Sequence, residues 1–254
     1  MRAAAAGLGL AALFVLLVPG TPWSLGHGDV LAAHGQPRAA VAWYRLVARV
    51  TLDAPTRQAA WRRANVVARA DLDDLELAEA LLVERLGGEV LRRSRAKILA
   101  ALADLQRRRS ANELAASTWE RAVDEAPRHR DAPSWLLERA EVLLERGLPD
   151  AADAEFTRIS RQYPRERSRA NLGRARIALA SGRPHEALRL FDDSLAHGPS
   201  SEVEAVARLG SAVCLERLGD LDEALVMLDA PELPDAVRAV RSDGLRRLSE
   251  AGGL

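Results

Sequence analysis

Histidines and closely spaced aspartates are the side chains of this sequence that could bind a metal or transfer protons. His27 and His34 lie seven residues apart on one helical face, whereas paired metal ligands on a helix usually lie three or four residues apart. Asp71, Asp73 and Asp74 are spaced like the start of a calcium-binding loop, but the glycine and distal glutamate of such a loop are missing. We therefore predict no metal site, an exposed or capping role for the two histidines, and an acidic turn between helices at the aspartates.

The remaining reactive side chains assemble no catalytic constellation. The sequence contains no glycine-rich phosphate loop, no Gly-x-Ser-x-Gly and no His-Glu-x-x-His. Its one cysteine, Cys214, excludes an intramolecular disulfide and a thiolate metal cluster, and we expect it to be a small core residue. We predict that the protein is not an enzyme and that it uses no cofactor.

The composition predicts an all-α protein. The chain has 254 residues, enough for one large or two small domains, and 48% of them are hydrophobic. Ala, Leu and Arg, which are strong helix formers, predominate, whereas strand formers such as Phe and Tyr are scarce. The 36 basic and 36 acidic residues give a formal net charge of zero, so no global field attracts nucleic acid or an anionic membrane.

Residues 1–20 have the pattern of a signal peptide or an N-terminal membrane anchor. Arg2 precedes an apolar run over residues 3–18, and Pro19 and Gly20 end it. The run is shorter than the roughly 20 residues that span a bilayer core, but it becomes long enough if residues 19–25 are included. We expect an extracytoplasmic protein, with the cleaved and the anchored form both open.

The rest of the chain is a sixfold repeat. Each repeat has an alanine near the start of its second helix, at Ala40, Ala78, Ala115, Ala152, Ala187 and Ala224. Four residues later comes a bulky apolar residue: Tyr44, Leu82, Trp119, Phe156, Phe191 and Leu228. Twelve residues before most of the alanines lies another small residue: Gly28, Ala103, Ala140, Ala175 and Ala212. In the second repeat, a two-residue insertion near residues 71–74 brings Ala64 into line. Such regular small residues let two antiparallel helices approach closely.

Turn and stop residues recur with the same period. Five residues before the alanine lies a turn residue: Gly35, Ser110, Gly147, Gly182 or Gly219. Glycine there predicts the left-handed backbone that ends a helix. Twelve residues after the alanine, Pro127, Pro164 and Pro199 predict the end of the second helix.

These features resemble the tetratricopeptide repeat, most clearly over residues 135–164. The resemblance implies a right-handed α-solenoid of about six helix-turn-helix repeats over residues 21–233, with a concave groove. The predicted repeats are residues 21–55, 56–89, 90–129, 130–166, 167–201 and 202–233. Residues 234–254 are predicted to form a C-terminal capping helix and tail, which buries Val237, Val240 and Leu248.

In proteins of this family the first helices line the groove, and two positions relative to the small residue touch ligand. The residues matching them here are the candidate partner-binding groove: Leu25, Asp29, Trp61, Asn65, Asp104, Leu137, Glu141, Leu172 and Arg176. Members that clamp a terminal carboxylate use Lys-x3-Asn and Lys/Arg-x3-Arg pairs, but Asn65 and Arg176 have Trp61 and Leu172 as partners. The clamp is therefore absent, and the apolar row favours an amphipathic helix in the groove. Alternatively, the leucines pack inward between repeats.

Two basic clusters flank the first helix of the third repeat. Arg92, Arg93, Arg95 and Lys97 open this helix, and residues 107–109 are three arginines that end it. Arginines at a helix C-terminus are favoured by its dipole. The clusters form either a solvated face or a binding patch for an anionic partner or lipid headgroup.

Together these patterns predict a non-catalytic protein–protein interaction scaffold of the bacterial cell envelope, part of a larger assembly. It would bind a peptide or helix from one or more envelope proteins in the groove, with membrane contact through residues 3–18. The alternative is a structural homo-oligomer built by self-association of the solenoid. Fold alone does not choose between them.

Overall fold

The computed structural model describes residues 23–88 and 90–228, and all regular structure in these ranges is helical. The all-α prediction is confirmed. The predicted signal peptide or anchor, residues 1–20, and the predicted capping helix, residues 234–254, lie outside the described residues. Among those that are described, no helix is both long and apolar enough to cross a membrane.

Twelve α-helices follow one another in the described ranges. They are α1 (Trp23–Ala33), α2 (Pro37–Val50), α3 (Ala54–Ala70), α4 (Leu75–Leu86), α5 (Arg92–Arg108), α6 (Asn112–Glu125), α7 (Ala132–Glu145), α8 (Pro149–Gln162), α9 (Arg167–Ala180), α10 (Pro184–Ala196), α11 (Ser201–Leu218) and α12 (Leu221–Leu228). A short 3₁₀ turn, Pro164–Glu166, precedes α9. The helices form six pairs, and within a pair a short turn makes the two helices antiparallel neighbours.

The turn inside each pair contains one residue with left-handed backbone. Gly35, Ser110, Gly147, Gly182 and Gly219, the five predicted turn residues, all have positive φ, between 61° and 90°. In the second pair this position is taken by Asp73, with φ of 49°. It lies five residues before Ala78, so the period of the repeat also indicates this turn residue, although the sequence analysis had not assigned it.

Side-chain caps and prolines set several helix ends. The Asp53 carboxylate accepts a hydrogen bond from the Thr56 amide at the start of α3, and Asp74 accepts one from Leu77 at the start of α4, both at 2.8 Å. Asp74 thus caps a helix, as expected for an acidic turn. Pro127 and Pro164 each follow the end of a second helix by two residues, in line with their predicted role as stops.

The described residues divide after residue 125 into two compact units. In the described part of each, consecutive helix pairs stack side by side, which is the arrangement of an α-solenoid. The repeated alanines lie at the helix contacts, since all six have zero exposed surface. The six bulky residues that follow them are also buried.

Two phenylalanines join consecutive helix pairs in the second unit. Phe156 of α8 lies against Gly173 of α9, and Phe191 of α10 lies against Gly210 of α11. A Cβ atom at Gly173 would lie 2.5 Å from the Phe156 ring, and one at Gly210 would lie 2.2 Å from the Phe191 ring. The phenylalanines therefore fill the space toward the next repeat, and a glycine in the facing helix makes room for each ring.

Candidate functional site

A cleft of about 670 Å³ runs along the first helices of the last three pairs, α7, α9 and α11. We call it the acidic cleft. Its apolar lining consists of Leu137, Leu172, Val203 and Val206. Leu137 and Val203 are buried, whereas Val206 has 42% of its surface exposed. The cleft therefore offers an apolar strip to a partner, and exposed valine is available at one end of it.

Four glutamates and two arginines surround this strip, which gives the lining a formal charge of −2. They are Glu138, Glu141, Glu166, Glu202, Arg169 and Arg176. The Arg176 Nη1 group donates hydrogen bonds to both carboxylate oxygens of Glu141, at 2.9 and 3.2 Å. Arg169 lies 3.5 Å from the Glu166 carboxylate. Each arginine is thus paired with one glutamate of the lining.

Four of the predicted groove residues meet in the acidic cleft. They are Leu137, Glu141, Leu172 and Arg176. The leucines also contribute to packing, because Leu137 is buried and Leu172 packs against the core of α9 and α10. The leucine row was predicted either to bind a partner or to pack inward between repeats. Leu137 and Leu172 both pack inward and line the cleft.

The two groove positions predicted from the sequence do not include the part of the cleft nearer the N-termini of the first helices. Val203 and Val206 line it in α11, and Arg169 lines it in α9. Arg169 and Val206 each lie six residues before the small residue of their repeat, Ala175 and Ala212. This position is one helical turn before the leucine row, so extending the count by one turn would have found both.

The predicted groove residues of the first unit have separate surroundings. Leu25 and Trp61 pack against the core of that unit. The Asn65 Nδ2 group donates a hydrogen bond of 3.0 Å to the Ala78 carbonyl, and Asp104 lies 3.7 Å from Arg108 on the same helix. Trp61 lines a different cleft, described below. The binding role of these residues stays a prediction.

Asp29, another predicted groove residue, links the two helices of the first pair, α1 and α2. Its carboxylate accepts a hydrogen bond of 2.5 Å from the Tyr44 hydroxyl, and Arg63 lies 3.4 Å from it. Burial, and then the hydrogen bond to Asp29, raise the pKa of Tyr44 above its ordinary value of 10.0. The Tyr44 ring lies where a Cβ atom of Gly28 would otherwise be.

This contact predicts an alkaline loss of stability. Because the folded state raises the pKa of Tyr44, its stabilising effect is complete below pH 10.0 and is lost as the pH rises above that value. We expect Tyr44→Phe to lower the free energy of unfolding at neutral pH by about 1 kcal/mol and to make the alkaline loss smaller. Urea unfolding at neutral and alkaline pH measures both. An equal alkaline loss in wild type and Tyr44→Phe would contradict the prediction.

His27, one of the two histidines weighed as a metal ligand, contacts Trp43 edge-on with ring centroids 4.6 Å apart. In residues 23–88 and 90–228, no three His, Cys, Asp or Glu side chains cluster as metal ligands would. Cys214 is completely buried, as expected for a core residue, and burial raises the pKa of its thiol.

A second cleft, of about 1040 Å³, lies in the first unit between the ends of α2 and α4 and the starts of α3 and α5. We call it the basic cleft. Its charged lining consists of Arg49, Arg57, Arg85, Arg95 and one acid, Glu84. Glu84 accepts hydrogen bonds of 2.7 Å from both Arg45 and Arg49. Burial alone would raise the pKa of Glu84, but the hydrogen bonds from the two arginines outweigh it and lower that pKa.

Residues 137–202 and 172–237 both match the family model of the tetratricopeptide repeat. These residues belong to the tetratricopeptide repeat family. The matches extend over the helices that line the acidic cleft, α7, α9 and α11, and they confirm the family resemblance seen in the repeated alanines.

Solved structures of other proteins have a similar fold. One is pilF of Pseudomonas aeruginosa, with a TM-score of 0.55 and 16% identity, covering 81% of this chain and 87% of that chain. A tetratricopeptide repeat protein of Parabacteroides merdae ATCC 43184 also has a TM-score of 0.55, with 19% identity over 81% of this chain and 76% of its own. MamA has a TM-score of 0.51 and 16% identity, covering 67% of this chain and 93% of that chain. At these identities the likeness shows the fold alone. No curated protein sequence matches the chain.

Proposed function

We propose that this protein is a non-catalytic scaffold that binds an amphipathic helix of a partner protein in the acidic cleft. The tetratricopeptide fold is an interaction scaffold, and the cleft supplies the chemistry that selects a partner. The observation that carries the proposal is the apolar strip between α7, α9 and α11, bordered by an excess of glutamates. A helix with one apolar face and flanking Lys or Arg residues complements this lining in both shape and charge.

The exposed end of the strip offers a direct test. We expect Val206→Glu to abolish partner binding, because it places a charge where the helix must bury an apolar side chain. The fold should tolerate the change, since Val206 is 42% exposed. Val226→Glu is the matched control: Val226 is 71% exposed and lies on α12, away from the acidic-cleft lining.

Binding is read by photo-crosslinking in the native cell, with a photoreactive amino acid placed at position 169, in the cleft lining, or at position 223 of α12, outside it. The proposal expects stoichiometric partners at position 169 that are lost when Val206→Glu is added and kept when Val226→Glu is added. The same partners at both positions would contradict it. Crosslinks only to a second copy of the chain would favour the structural homo-oligomer instead.

We further propose that the scaffold acts in the bacterial cell envelope, as the sequence of residues 1–20 suggests. Export places the repeats outside the cytoplasm, whether residues 3–18 are cleaved or remain as an anchor. Protease treatment of spheroplasts tests this, with a cytoplasmic protein as the control. A chain that stays protected until the inner membrane is lysed would rule out export.

A further inference from the structure

Arg85 of α4 is a cation whose charged group has no partner among the described residues. Its side chain is partly buried in the lining of the basic cleft. The Arg85 guanidinium makes no ion pair or hydrogen bond with another residue in the described ranges. Burial, and then repulsion from Arg62, lower the pKa of Arg85. A partly buried charge that a like charge repels lowers stability, so an anion bound beside it would be favoured.

The other charges of the basic cleft also favour an anion. Arg57 donates hydrogen bonds from Nε and Nη2 to the Thr51 carbonyl, at 3.3 and 3.1 Å, so its guanidinium is held in one orientation. Glu84, the one acid in the described lining, is already bonded to Arg45 and Arg49. The lining therefore holds a net positive charge that its own acid does not neutralise.

The start of α5 adds to this field. α5 begins at Arg92 after Leu91, which provides no side-chain cap, and its first turn contains no acid. The positive end of the helix dipole, at the edge of the basic cleft, therefore has no acid in its own first turn to offset it. Arg92 and Arg95 lie 3.8 and 3.6 Å from Glu125, so this acid offsets only part of the positive charge.

Apolar groups lie among these arginines. Trp61 lines the basic cleft and is partly buried, and Leu91 lines it with 78% of its surface exposed. A small anion bound to the arginines would not contact either of these side chains. A peptide with an apolar side chain next to its acidic residues would cover them.

We propose that the basic cleft binds an acidic peptide segment of a protein partner. Its carboxylates pair with Arg85 and Arg57, and an apolar side chain of the peptide contacts Trp61 and Leu91. The shape of the site favours a peptide over an anionic bilayer, because a concave cleft can surround a chain but not a broad flat surface. This site lies at the loops between repeats and is independent of the acidic cleft.

The test exploits the unfavourable surroundings of Arg85. Arg85→Gln should leave the free energy of unfolding unchanged or higher, because it removes a partly buried charge that faces Arg62. It should weaken the binding of acidic peptides by about tenfold. Arg93→Gln is the matched control, since Arg93 is an exposed arginine of α5 that does not line the basic cleft.

The full-length chain and both variants are used to select short random peptides from a displayed library, and affinities of the selected peptides are measured by fluorescence anisotropy. Acidic peptides that bind wild type, Arg93→Gln and Val206→Glu alike, and Arg85→Gln about tenfold more weakly, are the expected result. The proposal is overturned if selection yields no acidic peptides or if Arg85→Gln binds them normally. Vesicles containing phosphatidylglycerol test the bilayer, and Arg85-dependent vesicle binding without peptide binding would overturn the peptide assignment.

Discussion

Replacement of Phe156 by alanine should lower the free energy of unfolding by about 3–5 kcal/mol. The Phe156 ring is 1% exposed and fills the space between α8 and Gly173 of α9. Because the facing residue has no side chain, alanine at position 156 leaves a cavity that no neighbour can fill without moving the backbone. The loss is measured by urea unfolding followed by circular dichroism. Val226→Ala, which truncates an exposed side chain, is the control and should change the free energy of unfolding little.

The same contact can be weakened from the other side. Gly173→Ala should also destabilise the protein, although alanine is the better helix former by about 1 kcal/mol, because its Cβ atom would lie 2.5 Å from the Phe156 ring. Gly26 of α1 is the matched control, since no described group outside the adjacent helix backbone lies within 4 Å of an added Cβ atom there. Gly26→Ala should therefore raise stability. Equal signs for the two glycine variants would contradict this account of the contact.

The regular part of the fold could be predicted from the sequence because it depends on local periodicity. Every repeated alanine predicted a buried helix contact, and the turn residues predicted left-handed backbone at Gly35, Gly147 and their equivalents. The contact between Phe156 and Gly173 was harder to predict, since it depends on how successive helix pairs stack. The spacing predicts that the bulky residue faces the next repeat, but nothing in it indicates which glycine receives the ring.

The acidic cleft could be predicted in part for a similar reason. Leu137, Glu141, Leu172 and Arg176 lie at regular positions on first helices, and the structure brings them together. The basic cleft follows no such period, because it forms where helix ends and loops meet. Arg85 gave no sequence signal that separated it from the many other arginines.

The zero net charge of the whole chain gives no indication that the two clefts carry opposite charges. The 36 basic and 36 acidic residues cancel in the total, yet the described linings separate them, with excess glutamate in one cleft and excess arginine in the other. Overall charge excludes a global field, but it carries no information about local ones. Under the two proposals, the linings would select partner segments of opposite charge.

A buried ion pair between α7 and α8 leads to a second large expected effect. Arg139 Nη1 lies 2.7 Å from the Glu155 carboxylate, and the two side chains are 17% and 9% exposed. Glu155→Gln should lower the free energy of unfolding by about 3–5 kcal/mol, because it breaks a buried ion pair by removing the charge of one partner. Arg158, 3.6 Å from Glu155, adds a second positive charge to this environment. Urea unfolding again measures the change.

A solvent-exposed pair at similar distance isolates the effect of burial. Arg183 and Glu186 lie 2.6 Å apart with side chains 53% and 37% exposed, so Glu186→Gln should cost less than about 1 kcal/mol. The double variant Arg139→Met, Glu155→Leu should recover much of the stability that Glu155→Gln loses, because apolar side chains of similar size need no desolvation of charge. If the double variant is as unstable as Glu155→Gln, a hydrogen-bonding role of Arg139 beyond this pair holds α7 and α8 together. If Glu186→Gln lowers the free energy of unfolding as much as Glu155→Gln does, burial does not explain the large effect at the Arg139–Glu155 pair.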